Sequence, residues 1–385
     1  MVQVLEKRNT GIINVKVTFD LEEIRKALEK RLYVPDIHIK PKLIDELFLF
    51  LKDKLSDPQY KFKPIIGYQN GEISGFVICC IHPHYTSYSR KCGTFGWLTA
   101  DSFKVCKKMI ELCEEFIKIN KIRKIRGPIN FPKSLGGIGI QTMGFHEQML
   151  YGVAFTDPRL KISDYLQTLG YYKESEYTCV HVAQKTWKKG KKVDKDIIFR
   201  YFILEELYNY IDDIESLAAN SLYQIMPDSS GINRIHEFFE AFNRYPKCFN
   251  KNQKEFSLRR NSEIPQFSDA LQTCDVEKIE PLAPMAFDKK TGALVGILLG
   301  LPDLYELLGG NPVSRCNVDT AMVKKGYFGK GIFSALNNIG QLTANLYGID
   351  YFEGTTIWSN NSLAIDTIFP HCIPVRKHYV FQKRL

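Results

Sequence analysis

Apolar residues along the chain change their spacing several times. Ile13, Val15 and Val17 alternate with polar residues, the two-residue period of a half-buried strand. From Asp20 the period lengthens. DLEEIRKALEKRLY and then PKLIDELFLFLKDKL place apolar residues three and four apart, which predicts two amphipathic helices. Asp20 is a cap for the first, and Glu23 completes a capping box. KPIIGYQNGEISGFVICCIHP returns to strand-like runs on both sides of Asn70-Gly71, a dipeptide that tolerates the left-handed backbone of a tight hairpin. CGTFGWLTA predicts another strand. A helix follows from Asp101, with Phe103, Cys106, Ile110, Cys113 and Ile117 on one side. KIRKIRGPIN predicts a strand interrupted by Pro128. Beyond the glycine-rich SLGGIGIQTMGFHE, the stretch SDYLQTLGYYKESEYTCVHVA predicts a helix, a stop at Gly170 and a strand.

The second half reads similarly. Ile197–Ser221 has a helical pattern and Asp228–Pro265 is less regular. PLAPMAF and ALVGILLGLP flank a Lys-Thr-Gly turn, VDTAMV predicts a strand and GIFSALNNIGQLTANLYG a helix. YFEGTTIW, NNSLAIDTIF and RKHYVFQ complete the order as strand, short helix and strand. Both halves thus run hairpin, strand, helix, strand, helix, strand. The expectation is an α+β protein made by structural duplication, with mostly antiparallel mixed sheets flanked by helices. Its domains are expected at 1–184 and 196–385, joined by a lysine-rich linker at 185–195.

Composition narrows the partners. The chain has 385 residues, 44% apolar and 25% charged, which suits two packed domains. A formal charge of +9 favours anionic partners in general. The densest basic stretches, 121–133 and 185–195, come without zinc-finger spacing or any nucleic-acid motif, so nucleic acid is not expected. None of the ten cysteines forms a C-x-x-C pair, which points to buried thiols in a reducing compartment rather than disulfides or zinc. MVQVLEKRNT lacks the apolar run of a signal peptide, and no segment has membrane-spanning length. A cytoplasmic protein of open oligomeric state, without a metal, is expected.

The sharpest local feature is Ala321–Leu342, AMVKKGYFGKGIFSALNNIGQL, where glycines frame a lysine between a strand-like and a helix-like run. A Walker A loop would need GxxxxGK before Ser or Thr, and Lys330 precedes Gly331. A dinucleotide fingerprint would need a third glycine where Ile332, Phe333 and Ser334 follow Gly329-Lys330-Gly331. Two readings remain. Small residues could turn successive amides toward a pyrophosphate at the start of the helix, with Lys324, Lys325 and Lys330 adding charge. Alternatively, this is an ordinary strand-to-helix turn.

VKKGYFGKGIFSAL followed by TTIWSNNSLAI resembles the pyrophosphate loop and adjoining helix of GCN5-related N-acyltransferases. With TFGWLTA, IRGPINFPKSLGGIGIQTMGF, GILLGLPDLYELL and RKHYVFQKRL, most of Phe76–Leu385 is similar to a little-characterised microbial family with two such folds in tandem. The resemblance implies acetyl-CoA or another acyl-CoA as cosubstrate and a small-molecule or peptide amine as acceptor. It also implies that Gly329, Lys330, Gly331, Ile332, Phe333 and Ser334 form the CoA loop, beside Lys324. Val323 would offer backbone hydrogen bonds to the pantetheine arm, with Asn361 nearby. Three positions depart from the family pattern: Phe328 for Arg or Gln, Phe333 for a small residue, and Ile368 for a tyrosine that protonates the thiolate.

Aminolysis of a thioester requires a route for the amine proton. Glu353, in the strand expected beside the acyl group, is the candidate base, with an exposed strand glutamate as the alternative. Tyr379 is expected either in the acceptor cavity or in the core. Asn130, between Pro128 and Pro132 in an exposed turn, is expected to bond a ligand or its own loop. His146, His371 and Cys372 read as structural or surface residues. The competing functional class is a non-catalytic CoA-binding or scaffolding protein.

Overall fold

The computed structural model describes residues 11–182, 192–221, 227–229, 232–247, 265–271, 274–361 and 372–385. Alternation in the first apolar run gives strand β1 (Ile13–Val17), and helices α1 (Leu21–Arg31) and α2 (Lys40–Ser56) follow. Asp20 caps α1 by accepting from the amides of Glu22 and Glu23. The capping box does not close. Glu23 instead accepts from Thr18 Oγ1 at 2.6 Å and from Lys16 Nζ at 2.6 Å, while Thr18 Oγ1 accepts from the Asp20 amide at 3.2 Å. A threonine two residues upstream therefore takes the place that the glutamate would have filled.

Strands β2 (Lys61–Gln69) and β3 (Glu72–Ile81) form the hairpin around Asn70 and Gly71, whose φ angles are +55° and +84°. β4 (Gly93–Ala100), helix α3 (Phe103–Ile119), β5 (Lys124–Gly127), α4 (Ile162–Thr168) and β6 (Tyr172–His181) complete the first half. Cys106, Met109, Ile110, Cys113 and Ile117 of α3 are fully buried against the sheet. Met109, Ile110 and Ile117 each contribute about 1.5–3 kcal/mol by that burial. The helix lies close because Gly75 faces it: a Cβ there would come within 2.6 Å of Met109 Cε.

The second half contains β7 (Ile197–Arg200), α5 (Ile211–Ser221), α6 (Ile232–Arg244), β8 (Met285–Asp288), β9 (Leu294–Pro302), β10 (Arg315–Val323), α7 (Ile332–Leu346), β11 (Tyr351–Trp358) and β12 (Ile373–Arg384). Two expectations are corrected here. Ile197–Arg200 is a strand, paired antiparallel with Met285–Asp288, because the Ile-Ile-Phe run favours extended backbone over the helix that begins later. The irregular region after Asp228 contains α6, which buries Phe238, Phe239 and Phe242 at helical spacing.

The strands form one continuous sheet in the order β1-β2-β3-β4-β5-β12-β6-β11-β10-β9-β8-β7, with the short strand Ile140–Met143 also on β12. That order is a palindrome. Reading inward from either edge gives strands one to five of a half, then the last strand of the other half. β12 lies between β5 and β6 of the first half, and β6 lies between β12 and β11 of the second. The nine cysteines among the described residues are free thiols. No helix among the described residues is long and apolar enough to cross a membrane.

Candidate functional site

β10 and β11 are paired in parallel only from Arg315↔Tyr351 to Val318↔Gly354. Past that point β10 stays on β9 as far as Gly296↔Val323, while β11 follows β6 through a register shift beside Thr356, whose φ is +55°. Residues 319–323 and 355–358 therefore part as the two walls of a wedge. Its open end leads into 324–331.

The loop is set by its glycines. Gly326, Gly329 and Gly331 have φ of +93°, +78° and +76°, a region that favours glycine. Among the described residues a Cβ at Gly326 or Gly329 would meet nothing within 4 Å, so conformation and not crowding requires glycine there. Main-chain hydrogen bonds from Lys324 to Val295 (2.8 Å) and from Tyr327 to Lys324 (3.0 Å) close the turn. Tyr327 Oη donates to Asp288 Oδ2 at 2.9 Å. Lys330 is anchored by its carbonyl, which accepts from the Asp194 amide at 3.2 Å, and its ammonium lies 3.5 Å from Asp194 Oδ2. Gly331 is the N-cap of α7, no side chain among the described residues caps this end, and the first turn has no acid. The positive end of the helix dipole is thus uncompensated by the helix's own side chains.

Val323, Lys324, Gly329, Lys330, Gly331, Ile332, Phe333 and Ser334 come together on this strand, loop and helix. Ile332 is buried, with Cγ2 lying 2.8 Å from where a Cβ on Gly296 would stand, whereas Phe333 and Ser334 are half-buried and Phe328 is exposed. The Val323 carbonyl accepts from Ser221 Oγ of α5 at 3.4 Å. Asn361 lies on the turn after β11, beyond the opposite wall, its amide donating to Trp358 O at 2.8 Å.

Glu353 is elsewhere. It sits opposite Asn317 at the closed end of the wedge and has no exposed surface, which corrects the exposed-strand alternative. Burial follows from the insertion of β12, which brings Arg376 Nε to 2.8 Å from Oε1 and Nη2 to 3.2 Å from Oε2. Tyr351 Oη donates to Oε2 at 2.8 Å. Both oxygens are engaged, so taking an amine proton would first require breaking the ion pair.

A carboxylate that the sequence did not single out lies nearer the open end. Glu176 of β6 accepts from Ser359 Oγ at 3.2 Å, just past β11, and from Tyr379 Oη, with Lys377 Nζ at 3.3 Å. The Tyr379 hydrogen bond lowers its pKa, partly opposed by burial and reinforced by Lys377. No local motif marks Glu176; only the exchange of β6 and β12 carries it beside the second half.

The segment between α5 and α6 is tied to the first half. Asp228 accepts from Arg126 Nε and Nη2, both at 2.9 Å, from Tyr177 Oη at 2.6 Å, and from Tyr85 Oη. Arg126 and Asp228 side chains are both fully buried. Tyr88 of the first half also meets Trp358 of β11, with ring centroids 6.3 Å apart.

The first half has the same parting of strands without the loop. β4 and β5 pair in parallel only at Gly93↔Ile125 and Thr94↔Arg126, and Asp101-Ser102 alone connects β4 to α3. Ser102 Oγ caps α3, and the Arg31 guanidinium grips the Asp101 carboxylate. Asn130 is committed to its own surroundings, accepting from the Trp97 amide at 2.7 Å and donating to Gly136 O at 2.8 Å. The turn expected to be exposed is instead buried from Pro128 to Phe131, packed beside Trp97. His146 is exposed and lies 3.1 Å from Glu147. Burial pushes the half-buried Cys372 thiol up to about 11. Ile368 and His371 lie outside the described residues.

No protein-family model and no curated protein sequence matches this chain. Solved structures do. A tandem GNAT protein from the clavulanic acid biosynthesis pathway superposes with a TM-score of 0.52 at 9% identity, covering 97% of this chain and 98% of the other. A GCN5-related N-acetyltransferase from Sphaerobacter thermophilus gives 0.50 at 11% identity, covering 97% and 95%. The glucosamine N-acetyltransferase region of a fungal multi-domain GH3 β-N-acetylglucosaminidase gives 0.54 at 11% identity, covering 97% of this chain and 38% of that one. The palindromic sheet, the parted strands and these likenesses agree that the chain has the tandem fold of GCN5-related N-acetyltransferases.

Proposed function

We propose that the protein is an acyl-CoA-dependent N-acyltransferase whose cosubstrate is held by the second half. The observation that carries this is the continuity of an open wedge with a left-handed glycine loop and an uncapped helix start. The residues fit the group: an anion at Gly329–Ser334 would meet the start of α7, its helix dipole and Lys330, where no described side chain acts as a cap. Acyl-CoA would supply an activated thioester carbonyl for attack by the amine.

The chain's own residues would do the rest. Val323 and the facing wall near Asn361 would align the extended arm, bringing the carbonyl toward the closed part of the wedge. The first half would supply part of the acceptor side through Tyr88 and Glu176. Glu176, half-buried near the open end and held by Tyr379 and Lys377, would attract a protonated amine, and to receive its proton it would first have to release Lys377. Glu353 and Arg376 would hold β11 against β12.

The engagement of Glu353 by Arg376 favours one alternative, a CoA-binding protein without transfer activity. Both readings require the loop. Ser334→Glu tests it, because a glutamate in the first turn supports the helix while repelling a pyrophosphate. Calorimetric titration with CoA should give saturable binding to the wild type and a loss of about tenfold or more in the variant. Equal affinity, or no wild-type binding at millimolar CoA, would refute the site. Release of free CoA that depends on an added amine separates transfer from binding alone.

A further inference from the structure

The first-half wedge is not filled by protein. Between β4 and the buried turn after β5 lies a cavity of about 50 Å³, lined by Trp97, Leu98, Thr99, Pro128 and Phe155 among others. A larger groove of about 550 Å³ adjoins it, sharing Leu32, Tyr33, Asp157 and Leu160. The inner cavity is mainly apolar, with Thr99 among its lining residues. The outer groove is cationic at its mouth: Lys30, Arg31, Lys40 and Arg159 line it against Asp101 and Asp157.

Three of these cations are already paired. Lys30 holds Glu72, Arg31 holds Asp101 and Arg159 holds Asp157. Lys40 has no ion-pair partner among the described residues; burial, and then the charge of Arg31, lower its pKa. Arg31 Nε is likewise buried without a partner. A buried donor left unsatisfied is costly, and an anion beside Arg31 would offset part of that cost.

CoA is a poor occupant. The place of a pyrophosphate loop is taken by Asp101-Ser102, where a carboxylate stands in front of a helix already capped by Ser102. A smaller molecule satisfies both parts of the cleft. We propose that the first half binds a small organic anion, a carboxylate or phosphate monoester with a short apolar tail, its head at Lys40 and Arg31 and its tail over Leu98 and Trp97. The site is independent of the second-half loop.

Calorimetric titration of the full chain with hexanoate and with hexyl phosphate tests the proposal, with hexylamine and hexanol as controls. At least one anion should bind saturably in the millimolar range or tighter, and neither control should match it; which anion binds identifies the head group. Lys40→Glu, in the first turn of α2 where an acid suits the helix, should weaken that anion by at least about fivefold. Ser334→Glu should leave it unchanged, which separates failure of this site from failure of the CoA loop. Absence of saturable heat from both anions, equal binding of hexylamine, or an unaltered affinity in folded Lys40→Glu would overturn the proposal.

Discussion

Replacing Asp228 with Asn removes one charge from a pair in which Arg126 and Asp228 are both fully buried. The carboxylate accepts from two guanidinium nitrogens and two tyrosine hydroxyls, and an amide oxygen cannot serve all four while its own N–H groups face donors. Arg126 keeps Glu174 at 2.6 Å and a hydrogen bond to Gln382, so it is not left without a counter-charge. Breaking a buried pair costs about 3–5 kcal/mol in general, and the remaining glutamate places Asp228→Asn at the lower end, about 3 kcal/mol. That is a large share of the roughly 5–15 kcal/mol expected for a folded chain.

Urea denaturation at neutral pH reads the loss, and a cycle with Arg126→Met should give a coupling above about 1 kcal/mol. The pH dependence supplies a second check. Burial alone would raise the pKa of Asp228, but the Arg126 charge and its hydrogen bonds hold it below the ordinary 3.8. The unfolded chain therefore takes up this proton at higher pH than the native one. The contribution is present above the unfolded pKa and is lost as pH falls through the lower folded value. The gap between wild type and Asp228→Asn should stay constant from neutral pH to about 5 and narrow only in stronger acid. A loss below about 1 kcal/mol with an unchanged denaturant slope would refute the assignment of Asp228 as the anchor of the α5–α6 connection.

Burial lowers the pKa of His378 to about 4 although its ring accompanies the Ala154 carbonyl at 2.9 Å. Because the unfolded histidine protonates first, its contribution is full above about pH 6.5 and is lost toward pH 4, by about 3 kcal/mol. His378→Gln should flatten that part of a stability–pH curve; an unchanged slope would count against neutral burial. Glu353→Gln should lower stability by about 2–4 kcal/mol while leaving CoA affinity near wild type. Its turnover per folded molecule, once an acceptor is identified, should fall less than that of Glu176→Gln, and the reverse ranking would restore Glu353 as the base.

Much of the strand and helix order was legible because it rests on local periodicity. The Asn70-Gly71 hairpin, the buried stripe of α3 and the strand leading into the 324–331 loop all follow from spacing and turn chemistry. Ile197–Arg200 read as helix because a short apolar run has no period of its own, and its pairing with β8 decides its conformation. The α6 spacing is present in INRIHEFFEAFNR, but its polar neighbours and the irregular flanks on both sides obscure it. Glu176 and Asp228 were illegible for another reason. Their partners lie 203 and 102 positions away, on Tyr379 and Arg126, and no local pattern encodes which half's strand lies beside which.

That exchange ties the half without a glycine loop to the half that has one. Without β12 the first half would expose the edge of β5, and without β6 the second half would lose the strand between β11 and β12. Neither sheet closes on its own residues. The inserted strands also deliver chemistry across the junction: β12 gives Arg376 to Glu353, and β6 gives Glu176 to the end of β11. The loop in one half and the acidic and aromatic wall from the other are therefore products of a single sheet. Substitutions along β12 should be felt in both halves, since the strand borders β5 of the first and supplies Arg376 to Glu353 of the second.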